Sequence, residues 1–122
     1  MRVDHSPADQ RVFVFGSNLL GIHGGGAARY AVTKLGAADG IGEGPTGRTY
    51  ALPTCSRPGV PMTIESVRIH VQHFLAHAAR TPDTRYYVSA VGCGIAGFTE
   101  GEVAPMFAGA PDNCDLPDGW RA

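Results

Sequence analysis

The chain has 122 residues, 43% of them apolar, and a formal net charge of −1. That length fits one domain with a core of its own. The near-zero charge gives no electrostatic case for nucleic acid or an anionic membrane surface, and no apolar run approaches the roughly 20 residues that a bilayer span needs. The start, MRVDHSPADQ, lacks the apolar stretch of a secretory signal, so a cytoplasmic protein is expected.

Residues 1–10 are polar and expected to fray. Arg11 to Phe15 is a short apolar run stopped by Gly16, the pattern of a buried strand. A glycine-rich stretch, Gly16 to Gly26, leads into a predicted helix from Ala27 to Leu35. Gly36 stands where a left-handed C-terminal cap belongs. Ala37 to Gly47 reads as a loop. Arg48 to Leu52 reads as a second strand ended by Pro53, with a loop over 53–62.

Thr63 can cap a helix running to about Arg80. Ile64, Val67, Val71, Phe74, Leu75 and Ala78 form its apolar stripe. His70, His73 and His77 lie beside that stripe. Their i, i+3, i+7 spacing imitates a metal-binding face, but they read as solvated boundary residues, and no metal or cofactor is expected.

Arg85 to Val91 is the third predicted strand and runs into Gly92-Cys-Gly-Ile-Ala-Gly97. Thr99 and Glu102 have the spacing of a capping box. Pro105 then requires the helix to be short, kinked or 3₁₀-like. The segment 111–122 is turn-rich and expected to be less regular, and the sequence leaves the position of Trp120 open. Alternating strands and helices give an α/β fold with helices on the faces of a sheet.

Glycine carries the functional signal. The chain has 17 glycines, about twice the usual share of roughly 7%. Two of the clusters follow strands and precede helices. Successive glycine amides can converge on an anion, and a helix N-terminus adds partial positive charge. The two loops therefore predict a site for a phosphate-bearing ligand. Neither has the Lys-Ser/Thr ending of a P-loop. Gly92 to Gly97 fits G-x-G-x-x-G but leaves too little chain for a dinucleotide fold. Cys55, Cys93 and Cys114 are odd in number and widely spaced, which argues against a disulfide framework.

Three blocks in order resemble the macro-domain family: HGGGAARYAVTKLG (23–36), GRTYALPT (47–54) and VGCGIAGFTEGEVAPMF (91–107). They are most similar to the group containing terminal ADP-ribose protein glycohydrolase and the antitoxin that removes ADP-ribose from DNA, and to small stand-alone bacterial and phage relatives. The resemblance implies a compact three-layer α/β/α fold over 1–122 and an ADP-ribose-like ligand. By position, it implies that Asn18, Gly24, Gly25 and Gly26 face one side of the ligand. Gly92, Cys93, Gly94, Ile95, Ala96 and Gly97 would face the other.

Two positions depart from the hydrolases of that group. Where they carry a lysine after the central strand this chain has Cys55, and where they carry an acid in the second loop it has Ala96. Binding is therefore the leading expectation. The alternatives are a hydrolase of ADP-ribosylated or NAD-derived substrates with altered catalytic groups, for which His23 and Cys55 are the candidates, and a non-catalytic module for a protein partner. Nucleic acid is expected only as a modified substrate.

Overall fold

The computed structural model describes residues 9–121. It is a mixed α/β structure. In chain order the elements are β1 (Val12–Asn18), α1 (Gly26–Leu35), β2 (Gly44–Thr46), β3 (Thr49–Arg57), β4 (Val60–Pro61), α2 (Ile64–Arg80), β5 (Tyr86–Val88), α3 (Glu100–Val103) and β6 (Cys114–Asp115). A 3₁₀ turn, Ala104–Phe107, continues α3. The expectation of frayed residues at the start falls largely on 1–8, which lie outside the described residues, as does residue 122.

Six strands form one mixed sheet in the order β2-β3-β1-β5-β6, with β4 paired to β3. Strand β1 lies at the centre and runs parallel to both β3 and β5. Strand β5 is also parallel to β6, whereas β2 and β4 are antiparallel to β3.

The pleat of β1 divides the core. Successive side chains point to opposite sides of a strand. Phe13 and Phe15 pack with Ala31 and Leu35 of α1 and with Ala51. Val14, between them, belongs to a second and larger cluster. That cluster holds Val67, Val71, Phe74 and Ala78 of α2, together with Val103, Met106 and Phe107. The stripe read from the sequence is thus the face that α2 buries, with Ile64 and Leu75 at its partly buried margin. Fully burying side chains of this size stabilises the fold by roughly 1.5–3 kcal/mol each.

Local signals set the helix limits. Thr63 Oγ1 accepts from Ser66 N–H at 3.2 Å at the start of α2. Thr99 and Glu102 make the reciprocal capping box of α3. Helix α1 ends at Gly36, whose φ of 81° only glycine adopts without strain. As Pro105 requires, α3 lasts four residues and passes into the 3₁₀ turn.

The loop read over 37–47 contains β2, and three further expectations need correction. Pro53 does not end the second strand, because β3 runs on to Arg57. The register of β1 against β3 slips between Ser17 and Asn18, opposite Pro53 and Cys55, and a bulge is one of the few places in a sheet that tolerates a missing N–H. The predicted loop 53–62 is consequently a hairpin of β3 and β4. The third strand is also shorter than expected and ends at Val88. Finally, segment 111–122 is not uniformly irregular. It contains β6, and Trp120 is docked at 4% exposure against Phe107, with ring centroids 5.4 Å apart.

Among the described residues, no helix is long and apolar enough to cross a membrane.

Candidate functional site

The connections leave the central strands in opposite directions. From the end of β1 the chain turns to α1 and the Phe13/Phe15 face of the sheet. From the end of β5 it turns to α3 and the other face, where Val103 and Phe107 pack. A crevice opens at the carboxyl ends of adjacent parallel strands where such connections diverge, and ligands of open α/β sheets bind there.

A cavity of about 610 Å³ occupies this point. One wall is Gly16, Ser17 and Asn18, then Ile22, Gly24, Gly25, Gly26, Ala27 and Ala28. The facing wall is Ser89 to Gly92, then Gly94, Ile95 and Ala96. Thr54, Cys55, Pro58 and Gly59, from β3 and its hairpin, complete it. The size lies within the usual range for small-molecule sites. A second cavity of about 570 Å³ shares Gly26, Ala27, Ser89 and Ala90 with the first, and its remaining lining includes Phe13, Tyr30, Tyr87 and Asp115.

The two glycine loops therefore face each other. Added Cβ atoms at Gly24, Gly25 or Gly94 would meet nothing within 4 Å, so these positions keep the mouth open. In the second loop, Cys93 N–H bonds Ala90 O, Gly97 N–H bonds Gly94 O and Phe98 N–H bonds Gly92 O. Among the described residues this leaves the N–H groups of Gly94, Ile95 and Ala96 with no intrachain acceptor. The first turn of α1 is similar. Its cap, Gly25, offers no side-chain acceptor, and no acidic residue lies in that turn. The first N–H groups of any helix have no partner within it. Here they end at a cavity wall. Helices α2 and α3 are both capped by threonine side chains.

Not every residue read from the sequence reaches the cavity. Cys93 does not line it. Its side chain packs toward the larger core cluster, with Sγ 3.7 Å from Val91 O. Gly97 serves as a turn residue at φ 79°. Asn18 lines the wall, but its amide closes its own loop, donating to Ile22 O at 2.9 Å and accepting from Ile22 N–H at 3.2 Å.

His23 corrects the expectation of a catalytic histidine. It is 2% exposed, lies edge-on to Phe15, and its Nε2 is 3.1 Å from Ile41 O. The side chain turns into the body, away from the cavity lining. Cys55 does line the cavity, at 5% exposure. Burial pushes its thiol pKa up, partly opposed by a hydrogen bond with Thr54. It stands there as a neutral thiol, the less nucleophilic form.

The lining residues outside the two predicted loops, and so missed in the sequence, are Ala27, Ala28, Thr54, Pro58, Gly59, Ser89, Ala90 and Val91. The signal for Ser89 and Ala90 was their place directly before the second loop. The hairpin residues were hidden by reading Pro53 as a stop.

The histidines of α2 lie at the solvent boundary as read, His70 and His77 half-buried and His73 exposed, but their neighbours differ. Glu43 Oε2 is 2.8 Å from His70 Nδ1 and 3.0 Å from His73 Nδ1. His77 instead lies against the rings of Tyr50 and Tyr86, and burial lowers its pKa.

No protein-family model, no curated protein and no solved structure matches this chain.

Proposed function

We propose that the cavity binds ADP-ribose or a closely related diphosphate nucleotide. The observation that carries this reading is the uncapped, acid-free N-terminus of α1 facing the free amides of Gly94, Ile95 and Ala96 across one cavity. A diphosphate supplies acceptors to both sets of donors, and its charge is favourable at a helix N-terminus. The adjoining cavity is lined in part by Phe13, Tyr30 and Tyr87, apolar surface that suits a flat base. The shared boundary at Gly26, Ala27, Ser89 and Ala90 suits a ligand long enough to occupy both. Core clusters on both faces of the sheet support the three-layer, macro-domain-like reading of the fold.

The lining favours binding over hydrolysis. Among the described residues, the polar side chains of the first cavity are those of Ser17, Asn18, Thr54, Cys55 and Ser89. None is a carboxylate, lysine or histidine, the usual groups for acid–base work near neutral pH. Calorimetric titration with ADP-ribose, alongside ADP, AMP and ribose 5-phosphate, tests the reading. ADP-ribose is expected to bind with 1:1 stoichiometry and more tightly than AMP or ribose 5-phosphate. Absence of heat at millimolar ADP-ribose, with the protein folded, would refute it.

A further inference from the structure

A second candidate site stands apart from the cavity, where α2 meets the segment before β2. His70 and His73 are one helical turn apart on α2, so their side chains emerge on the same side of the helix. Glu43 reaches them from 27 and 30 positions away in sequence. One ligand atom from each residue lies within 4.8 Å of the other two. A single carboxylate oxygen serves both imidazoles, through Nδ1 in each case.

We infer that Glu43, His70 and His73 form a three-ligand site for a divalent transition cation of the Zn²⁺ class. Two neutral imidazoles and one carboxylate are borderline donors, which suit Zn²⁺ and its neighbours and disfavour Mg²⁺ or Ca²⁺. A cation bonded at about 2.0–2.2 Å to each atom sets ligand atoms roughly 3–3.5 Å apart. The two Glu43–histidine separations of 2.8 and 3.0 Å need to open by only a few tenths of an ångström, and the two ring nitrogens lie within 4.8 Å of each other. The cation takes the place of the protons now shared between the carboxylate and the rings.

The His73 side chain is 55% exposed and that of Glu43 31%, whereas His70 is 17% exposed. One firm ligand and two accessible ones leave a route for entry and room for water to complete the coordination shell. The site also has a mechanical setting. Beside Glu43, Gly42 lies so close to Asn18 and Leu19 that an added Cβ would meet their carbonyl oxygens at 2.5 and 2.6 Å. The cation thus braces the segment that backs the first wall of the cavity.

The test is titration of ZnCl₂ into the full chain, free of any affinity tag, followed by calorimetry and by thermal unfolding. The expected result is one Zn²⁺ bound per chain with a rise in Tm, and no response to MgCl₂. His70→Ala and Glu43→Gln are each expected to weaken Zn²⁺ binding at least tenfold and to abolish the rise in Tm. His73→Ala, at the most exposed of the three positions, reports the same loss with least risk to folding. Cys93→Ser is expected to bind as the parent does. The inference is overturned if Zn²⁺ does not bind, if the His73→Ala variant binds within twofold of the parent, or if Cys93→Ser removes binding and so assigns the metal to thiol.

Discussion

The indole N–H of Trp120 donates to the Glu100 carboxylate at 2.7 Å, tying the last turn of the chain to the first residue of α3. The same ring packs on Phe107, so the C-terminal segment seals the end of the larger core cluster beneath the second glycine loop. Trp120→Ala is expected to lower unfolding free energy by about 3–5 kcal/mol, the usual cost of deleting a buried aromatic. Trp120→Phe keeps most of the packing and loses the hydrogen bond to a charged acceptor, for about 1.5–3 kcal/mol. Urea unfolding of the two variants separates these contributions. A loss under 1 kcal/mol in Trp120→Ala would show that the segment is not part of the cooperative core.

Gly25 gives a prediction in which stability and binding move in opposite directions. It caps α1 with extended backbone, φ −157°, and has open space around an added side chain. Gly25→Asp supplies the missing cap, for a gain of a few tenths of a kcal/mol. It also places a carboxylate at the proposed diphosphate position. ADP-ribose affinity is expected to fall at least tenfold while Tm holds or rises. Retained affinity in the variant would remove the α1 terminus from the binding site.

Cys55 is expected to alkylate slowly. Its raised pKa and low exposure leave little thiolate at pH 8, so its rate with iodoacetamide should fall well below that of free cysteine. Cys55→Ser keeps the size and polarity of the cavity wall and is expected to bind ADP-ribose within about threefold of the parent. Rapid modification, measured by intact mass, would contradict the buried-thiol description.

Asp115 provides a pH dependence. Hydrogen bonds from Arg85 hold its carboxyl below the ordinary value against the opposing effect of burial, with further help from Arg11. A carboxyl whose folded pKa is depressed contributes stability above its unfolded pKa, near 4, and loses it as pH falls through the folded value. Asp115→Asn is therefore expected to be less stable than the parent at pH 7, with the difference closing below about pH 4. The Arg85 side chain is 56% exposed, which limits the pair to about 1 kcal/mol or less. Thermal unfolding of both proteins between pH 3 and 7 checks the sign and the window.

The parts legible in the sequence were those governed by local rules. The stripe from Ile64 to Ala78, the Thr63 and Thr99 caps and Gly36 each depend on residues within a few positions of one another. So do the two glycine loops, which required only that a strand end and a helix begin. What escaped depends on distant partners. Pro53 sits within a strand because β3 itself bulges beside it, at Thr54. Strands β2, β4 and β6, at two or three residues, are too short to show a period. His23 adjoins the glycine triplet in sequence, yet its ring turns toward Ile41 O, and nothing local sets that direction. Glu43 meets His70 and His73 only because the segment before β2 crosses α2.

Two sets of glycines that sequence counting cannot distinguish stand at opposite extremes of crowding. At Gly21, Gly42 and Gly47 an added Cβ would strike backbone atoms of another segment at 2.4 to 2.5 Å. At Gly24, Gly25 and Gly94 it would meet only open space. The first set is required by chain assembly, and the second leaves the mouth of the cavity open. Future relatives can be sorted on that basis. Relatives that keep Gly21, Gly42 and Gly47 retain these close backbone approaches, while side chains at 24, 25 and 94 narrow the mouth at which the proposed diphosphate would sit.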